Sequence, residues 1–309
     1  MTPASRILSF PRPGWWAGIL LAVALVLAAP GYVGRMVDRA FAYAISAMQP
    51  KSAQRAQPSL PDYRVRVEAR SLDGLAGQLS GLASDAGHGR LWAVADAPAE
   101  LLALNTDGQV LSRHPLDGFD GVSGIASLGD DRLLLVEKGR HTLVVMPAPQ
   151  APDEILRRHG RQALRLELPN SDQAVEGIGY DRAGDRLFVV QGHAPSHLYE
   201  VRGLRAGLEG RAEVQLIDRA AWIGDKFVAR DFAAVKYDAR TGHVLLLSNA
   251  SRLILELDDQ GRFVAYQPLA AGFAGLHETI PQAVAMSMDD ERNLYVASTA
   301  NRFYAFEPD

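Results

Sequence analysis

The 309-residue chain contains no cysteine. This excludes disulfides, thiolate nucleophiles and Cys-based zinc or iron–sulfur centres, although it does not identify a compartment. Positive charge is not in excess either: 32 Lys and Arg against 36 Asp and Glu give a formal charge of -4, which removes the electrostatic footprint of a nucleic-acid binder. Hydrolase and nucleotide signatures are missing as well, with no G-x-S-x-G elbow, no H-E-x-x-H helix and no G-x-x-x-x-G-K-[ST] loop. Aromatic residues make up 7% of the chain, and 48% of it is apolar, enough for one large core.

What the sequence does contain is a repeat. A small-residue step followed by an aliphatic, then a turn, then a short apolar run recurs five times. The copies are Leu79-Ser80-Gly81-Leu82 with Leu91-Trp92-Ala93-Val94, and Val122-Ser123-Gly124-Ile125 with Leu133-Leu134-Leu135-Val136. They continue with Glu176-Gly177-Ile178 and Leu187-Phe188-Val189-Val190, Ala233-Ala234-Val235 and Val244-Leu245-Leu246-Leu247, and Ala283-Val284-Ala285 and Leu294-Tyr295-Val296-Ala297. Units of roughly 40 to 50 residues built from short strands and polar turns predict the blades of an all-β propeller.

Residues 80–85, 91–95, 101–105 and 110–116 read as the four strands of the first blade, and the fourth copy repeats the scheme. In the second and third copies, residues 155–168 and 212–218 read as outer strands. The last copy ends without a fourth strand, whereas residues 63–70 form an alternating strand with no blade of its own. Placing that strand on the last blade closes the ring and removes a free edge. Five blades result; a sixth within 153–168 or 204–230 is the alternative.

Upstream, Trp15 to Ala29 is almost continuously apolar, and no charged side chain falls between Pro13 and Val33. Roughly 20 such residues span a bilayer. Residues 1–34 are therefore expected to form a transmembrane signal anchor, with Arg6 and Arg12 favouring an inside N-terminus. A cleaved signal peptide is the competing reading, against which Pro30 makes a poor cleavage position. Residues 35–61 read as a helical extension and a proline-punctuated linker, leaving 62–309 for the propeller.

The ordered set formed by Leu79-Ser80-Gly81-Leu82, Leu116-Asp117-Gly118-Phe119-Asp120, Val175-Glu176-Gly177-Ile178-Gly179-Tyr180-Asp181 and Leu247-Ser248-Asn249-Ala250-Ser251-Arg252-Leu253 resembles the SdiA-regulated family, the YjiK-like propellers of bacterial envelopes. The resemblance implies a membrane anchor, an inner-membrane single-pass protein with its propeller on the periplasmic side, and bound calcium. The chain departs from the family pattern in its acids. Only Glu176 begins an inner strand with the Glu-Gly-Ile form, while Ser123, Ala233 and Val284 stand at corresponding starts. Ala97, Gly192, Ala250 and Thr299 fall where second-strand acids are expected.

Asp96, Glu137, Glu176 and Asp231 are the acids expected at the channel mouth, with Asn249 and Asn301 as neutral ligands. Glu176, Glu137 and Asp96 are the metal candidates. Ca²⁺ takes six to eight oxygens, so this set is thin for it. Other features have simpler readings. His193 and His197 have metal-ligand spacing, but Pro195 between them argues for a loop. Ser80 and Ser123 lack an assignable base, and Arg157, Arg158, His159, Arg161 and Arg165 read as a solvated strand face. Tyr180 and Tyr237 hold equivalent repeat positions. Trp222 and Phe227 lie in the longest insertion and are the expected partner loop.

Two functions follow. The first is a membrane-tethered binding or scaffold module for an envelope protein or small ligand, with no catalytic residue. The second is a calcium-dependent hydrolase, lactonase- or esterase-like, at the channel mouth.

Overall fold

The computed structural model describes residues 60–309 except 171, 193–195, 225–228 and 230. The expected anchor, extension and linker lie outside the described residues, as do His193, Pro195 and Phe227. Among the described residues no helix is long and apolar enough to cross a membrane.

A short 3-10 turn, Leu60–Asp62, leads into β1 (Tyr63–Ser71). The first blade is β2 (Gln78–Asp85), β3 (Arg90–Asp96), β4 (Glu100–Asn105) and β5 (Val110–Asp117). The second begins with β6 (Val122–Gly129), β7 (Arg132–Glu137) and β8 (Thr142–Pro147). The chain then swings back as β9 (Leu156–Arg157), which pairs in parallel with β5, before β10 (Ala163–Arg165) completes the second blade. The third blade holds β11 (Val175–Asp181), β12 (Arg186–Gln191), β13 (His197–Arg202) and β14 (Gln215–Asp218), with the short helices α1 (Leu204–Leu208) and α2 (Ala220–Ile223) on either side of β14. The fourth is β15 (Phe232–Asp238), β16 (His243–Ser248), β17 (Leu253–Leu257) and β18 (Phe263–Pro268). The fifth is β19 (Ala283–Met288), β20 (Leu294–Ser298) and β21 (Arg302–Pro308).

Among the described residues five sheets are present, and the segments that held the alternative sixth blade supply outer strands and short helices. β1 pairs antiparallel with β21, from Tyr63 opposite Pro308 to Ser71 opposite Arg302, so the N-terminal strand completes the last blade. The inner strands pack successively from β2 through β6, β11, β15 and β19, and β19 returns to β2.

The second strands explain the continuous apolar runs. Each is covered on both faces by neighbouring blades, so no polar alternation survives. Leu91, Ala93, Val94 and Ala95 are fully buried, as are Leu187 to Val190 and Leu294 to Ala297. Burying one such Leu or Val contributes about 1.5–3 kcal/mol. Phe188 and Tyr237 stack at 5.9 Å between the third and fourth blades.

Glycine sets the spacing of the inner strands. A Cβ on Gly179 would stand 2.8 Å from the carbonyl oxygen of Val235 and 3.0 Å from Cα of Lys236, so the backbones of β11 and β15 meet only because that atom is absent.

Candidate functional site

Each inner strand carries a β-bulge at the same point. The register skips Ser80, Ser123, Glu176, Ala233 and Val284, one per blade. A bulge re-aims the extra side chain and sharpens the local twist. Of these five positions only Glu176 supplies a carboxylate. Ser80 Oγ donates instead to the carbonyl of Val122 at 2.6 Å, bracing the first blade on the second.

The other acids expected at this end are held in different settings. Register places Ala95, Glu137, Gln191, Ser248 and Ser298 at one level, opposite Leu79, Val122, Val175, Phe232 and Ala283. Asp96 belongs one step further on, so Asp96 and Glu137 are not equivalent. Glu137 is buried, and its Oε1 accepts a hydrogen bond from Nε of Arg158 at 3.1 Å. Arg157 meets Asp117 at 3.7 Å, so the basic segment partly docks the β9 excursion. The Asp96 carboxylate lies over Gly121 at the start of the second blade. The Asp231 carbonyl accepts from the backbone N–H of Asn249 at 3.2 Å. Asn301 clasps the seam between the last and first blades, its Oδ1 accepting from Leu79 N–H at 3.0 Å and its Nδ2 donating to Gly77 O at 2.9 Å. Among the described residues, no three His, Asp or Glu side chains converge as a metal site.

Trp222 has an inward role. It is 8% exposed, fills the space beside Gly261, lies 6.3 Å from the Phe188 ring and carries the Arg219 guanidinium 4.8 Å above its own ring. Burial of a large ring against a glycine turn outweighs its presentation on a loop.

A cavity of about 780 Å³ lies at the opposite end of the channel, where the inner strands finish and turn back. A seven-residue strand spans roughly 20 Å, which separates this end from the acids above. All five blades line it, through Leu82 to Asp85, Ile125 to Ser127, Ile178 to Tyr180, Lys236 to Asp238 and Met286 to Asp289, together with the following turns. The space has a simple origin. Ala83, Ala126, Gly179, Lys236 and Ser287 occupy one register level, opposite Trp92, Leu134, Phe188, Leu245 and Tyr295 of the second strands. Four are small, and one is a lysine.

An aspartate closes the inner strand in four blades and organises its turn. Asp181 Oδ1 accepts from the N–H groups of Ala183 and Gly184, while Arg186 Nε donates to Oδ2 at 2.8 Å. Asp289 accepts from Asn293 N–H at 2.7 Å and from the Tyr295 hydroxyl at 2.7 Å. Asp238 accepts from Arg240 N–H and the Thr241 hydroxyl. Asp85 binds Arg90 and the Trp92 indole N–H. Burial alone would raise the Asp85 carboxyl, but hydrogen bonds from His88 and Arg90 hold it below the usual carboxylate range.

The remaining polar groups of the cavity do not assemble acid–base chemistry. Burial and a hydrogen bond to Asp185 push the Tyr180 phenol up to about 12, and burial likewise raises Tyr237, so both are protonated near neutrality. Burial lowers the Lys236 ammonium below its ordinary range, outweighing the opposing fields of Asp290, Asp238 and Asp289. Ser112 Oγ contacts His114 Nε2 at 2.7 Å, but that pair sits on the outer strand β5, with His114 buried.

This cavity carries no acid pattern in the sequence, because it lies where the inner strands end and not where the repeat begins. A lone Lys at a level otherwise held by Ala, Gly and Ser was the signal available.

Several solved structures are similar to this chain. The luciferin-regenerating enzyme matches with a TM-score of 0.50 and 11% identity, over 79% of this chain and 95% of that one. Regucalcin from Agrobacterium tumefaciens, a calcium-binding protein, matches at 0.48 and 14%, over 77% and 93%. Virginiamycin B lyase from Staphylococcus aureus matches at 0.47 and 10%, over 79% and 99%. At 11% identity the likeness to the first of these reaches the fold alone. The SdiA-regulated family is matched over residues 55–307, spanning every strand but the last residue of β21, and the chain belongs to that family.

Proposed function

We propose that this protein is a binding module of the cell envelope, tethered by its N-terminal apolar segment in the inner membrane with the propeller on the periplasmic side. Its ligand cavity is the one at the turn end of the channel. The observation that carries this reading is that all five blades contribute to one cavity of about 780 Å³, within the usual range for small-molecule sites. The tether rests on the uncharged apolar run from Trp15 to Ala29.

Calcium-dependent hydrolysis at the other end has less support. It needs Asp96, Glu137 and Glu176 to share an ion, and Glu137 is engaged by Arg158. The fold itself does not choose between binding and catalysis.

The test is membrane topology. The full chain expressed in a Gram-negative host is expected in the carbonate-resistant membrane fraction, with its propeller cleaved by protease added to spheroplasts. Recovery in the soluble fraction, or protection of the propeller until the membrane is lysed, would contradict the tethered periplasmic reading.

A further inference from the structure

The cavity wall is uneven in a way that selects a ligand. Lys236 is the one charged side chain at its register level and makes no hydrogen bond or ion pair with the described residues. Its own-blade neighbour Asp238 is taken up by Arg240 N–H, Thr241 and Arg292. Asp289 is likewise committed to Asn293 and Tyr295. Lys236 is half-buried, and an ammonium partly withdrawn from water without a contacting anion is costly.

Ser287 supplies a second, independent observation. It holds the equivalent position on the adjacent blade, is fully buried, lines the same cavity, and its hydroxyl has no partner. Buried hydroxyls are normally satisfied. Two polar groups on neighbouring blades thus stand at one level of the channel with their bonding capacity unused.

One residue earlier, in four of the five inner strands, the lining is apolar, formed by Leu82, Ile125, Ile178 and Met286. Nearer the mouth, the exposed rim carries both signs of charge, Asp130, Asp131 and Asp290 beside Arg132, Arg182, Arg205 and Arg240. The preference for one negative charge comes from the single ammonium at the Lys236 level, which can neutralise one carboxylate but not a dianion.

Building on the reading of this cavity as a ligand site, we infer that it takes a small organic monoanion with an apolar body, its carboxylate held by Lys236 and Ser287 and its body against the aliphatic ring. A carboxylate accepts from an ammonium and a hydroxyl at once, and such charge-assisted bonds are about twice as strong as neutral ones.

The probe is 2-naphthoate, with 2-naphthamide as its uncharged isostere, titrated calorimetrically into the full chain in nanodiscs with empty discs as reference. We expect one 2-naphthoate per chain, bound at least tenfold more tightly than the amide. Lys236→Met should abolish that difference while leaving amide binding in place, and Lys236→Arg should retain most of it. Equal affinities, or a difference untouched by Lys236→Met, would overturn the anion assignment and leave the cavity reading standing. Failure of both probes to bind would overturn the assignment and the cavity reading together, while the membrane topology is judged separately by protease access.

Discussion

Nε of Arg292 lies 2.9 Å from Oδ2 of Asp238, and the two side chains are 5% and 3% exposed. The pair joins the first turn of the fifth blade to the end of the fourth blade's inner strand. It keeps Asp238 occupied beside the cavity, so the Lys236 ammonium is left to a ligand. Removing one member of a buried pair strands the other, which costs about 3–5 kcal/mol. Arg292→Met should therefore lower the unfolding free energy by about 3 kcal/mol in urea titrations, and Asp238→Asn in the same background should recover part of the loss.

The close approach at Gly179 predicts a second effect. Gly179→Ala places a Cβ 2.8 Å from the Val235 carbonyl oxygen, and both neighbours are backbone, which cannot swing aside. Overpacking of this kind costs about 1–3 kcal/mol. A melting temperature unchanged from wild type would show that the inner strands leave room for that atom.

Asn301 predicts a weakened ring closure. Its amide satisfies Leu79 N–H and Gly77 O across the seam where the chain enters the first blade. Asn301→Ala leaves both backbone groups without that partner and should cost about 1–3 kcal/mol. Hydrogen exchange at Leu79 should accelerate more than at equivalent sites in the third blade.

Acid sensitivity should centre on Glu200, which is fully buried. Burial alone would raise its carboxyl, but hydrogen bonds from Arg202 at 2.6 Å and Arg219 at 2.8 Å, with their charges, bring it below the ordinary range. A carboxyl depressed in the folded state contributes stability that is complete above the unfolded value of about 4.3 and is lost as pH falls through the folded value. Glu200→Gln should flatten the decline of stability below about pH 4. An unaltered acid limb would place the sensitivity elsewhere.

Much of the fold was legible because blades repeat. The five inner-strand steps and the buried second strands announced themselves as short apolar runs, and the orphan strand at Tyr63–Ser71 announced the closure. The parallel return of β9 to β5 was not legible, since two residues, Leu156 and Arg157, make that ladder. Nor was the inward turn of Trp222, which depends on a glycine at position 261 far along the chain. The site was harder for a physical reason. Acids at strand starts attract attention as metal ligands, yet Glu137 and Asn301 are bound to Arg158 and to backbone, contacts that no spacing rule reveals. The cavity arises from small residues, and small residues carry no chemical flag.

Which end of the channel receives the ligand is the central claim, and hydrogen exchange on the full chain with and without 2-naphthoate reads it directly. The account predicts slower exchange in the first turns of the blades, around residues 83–90, 126–133, 179–186, 236–243 and 286–293. Protection confined to the opposite end, around residues 96–100, 138–142 and 249–253, or no protection anywhere, would contradict it.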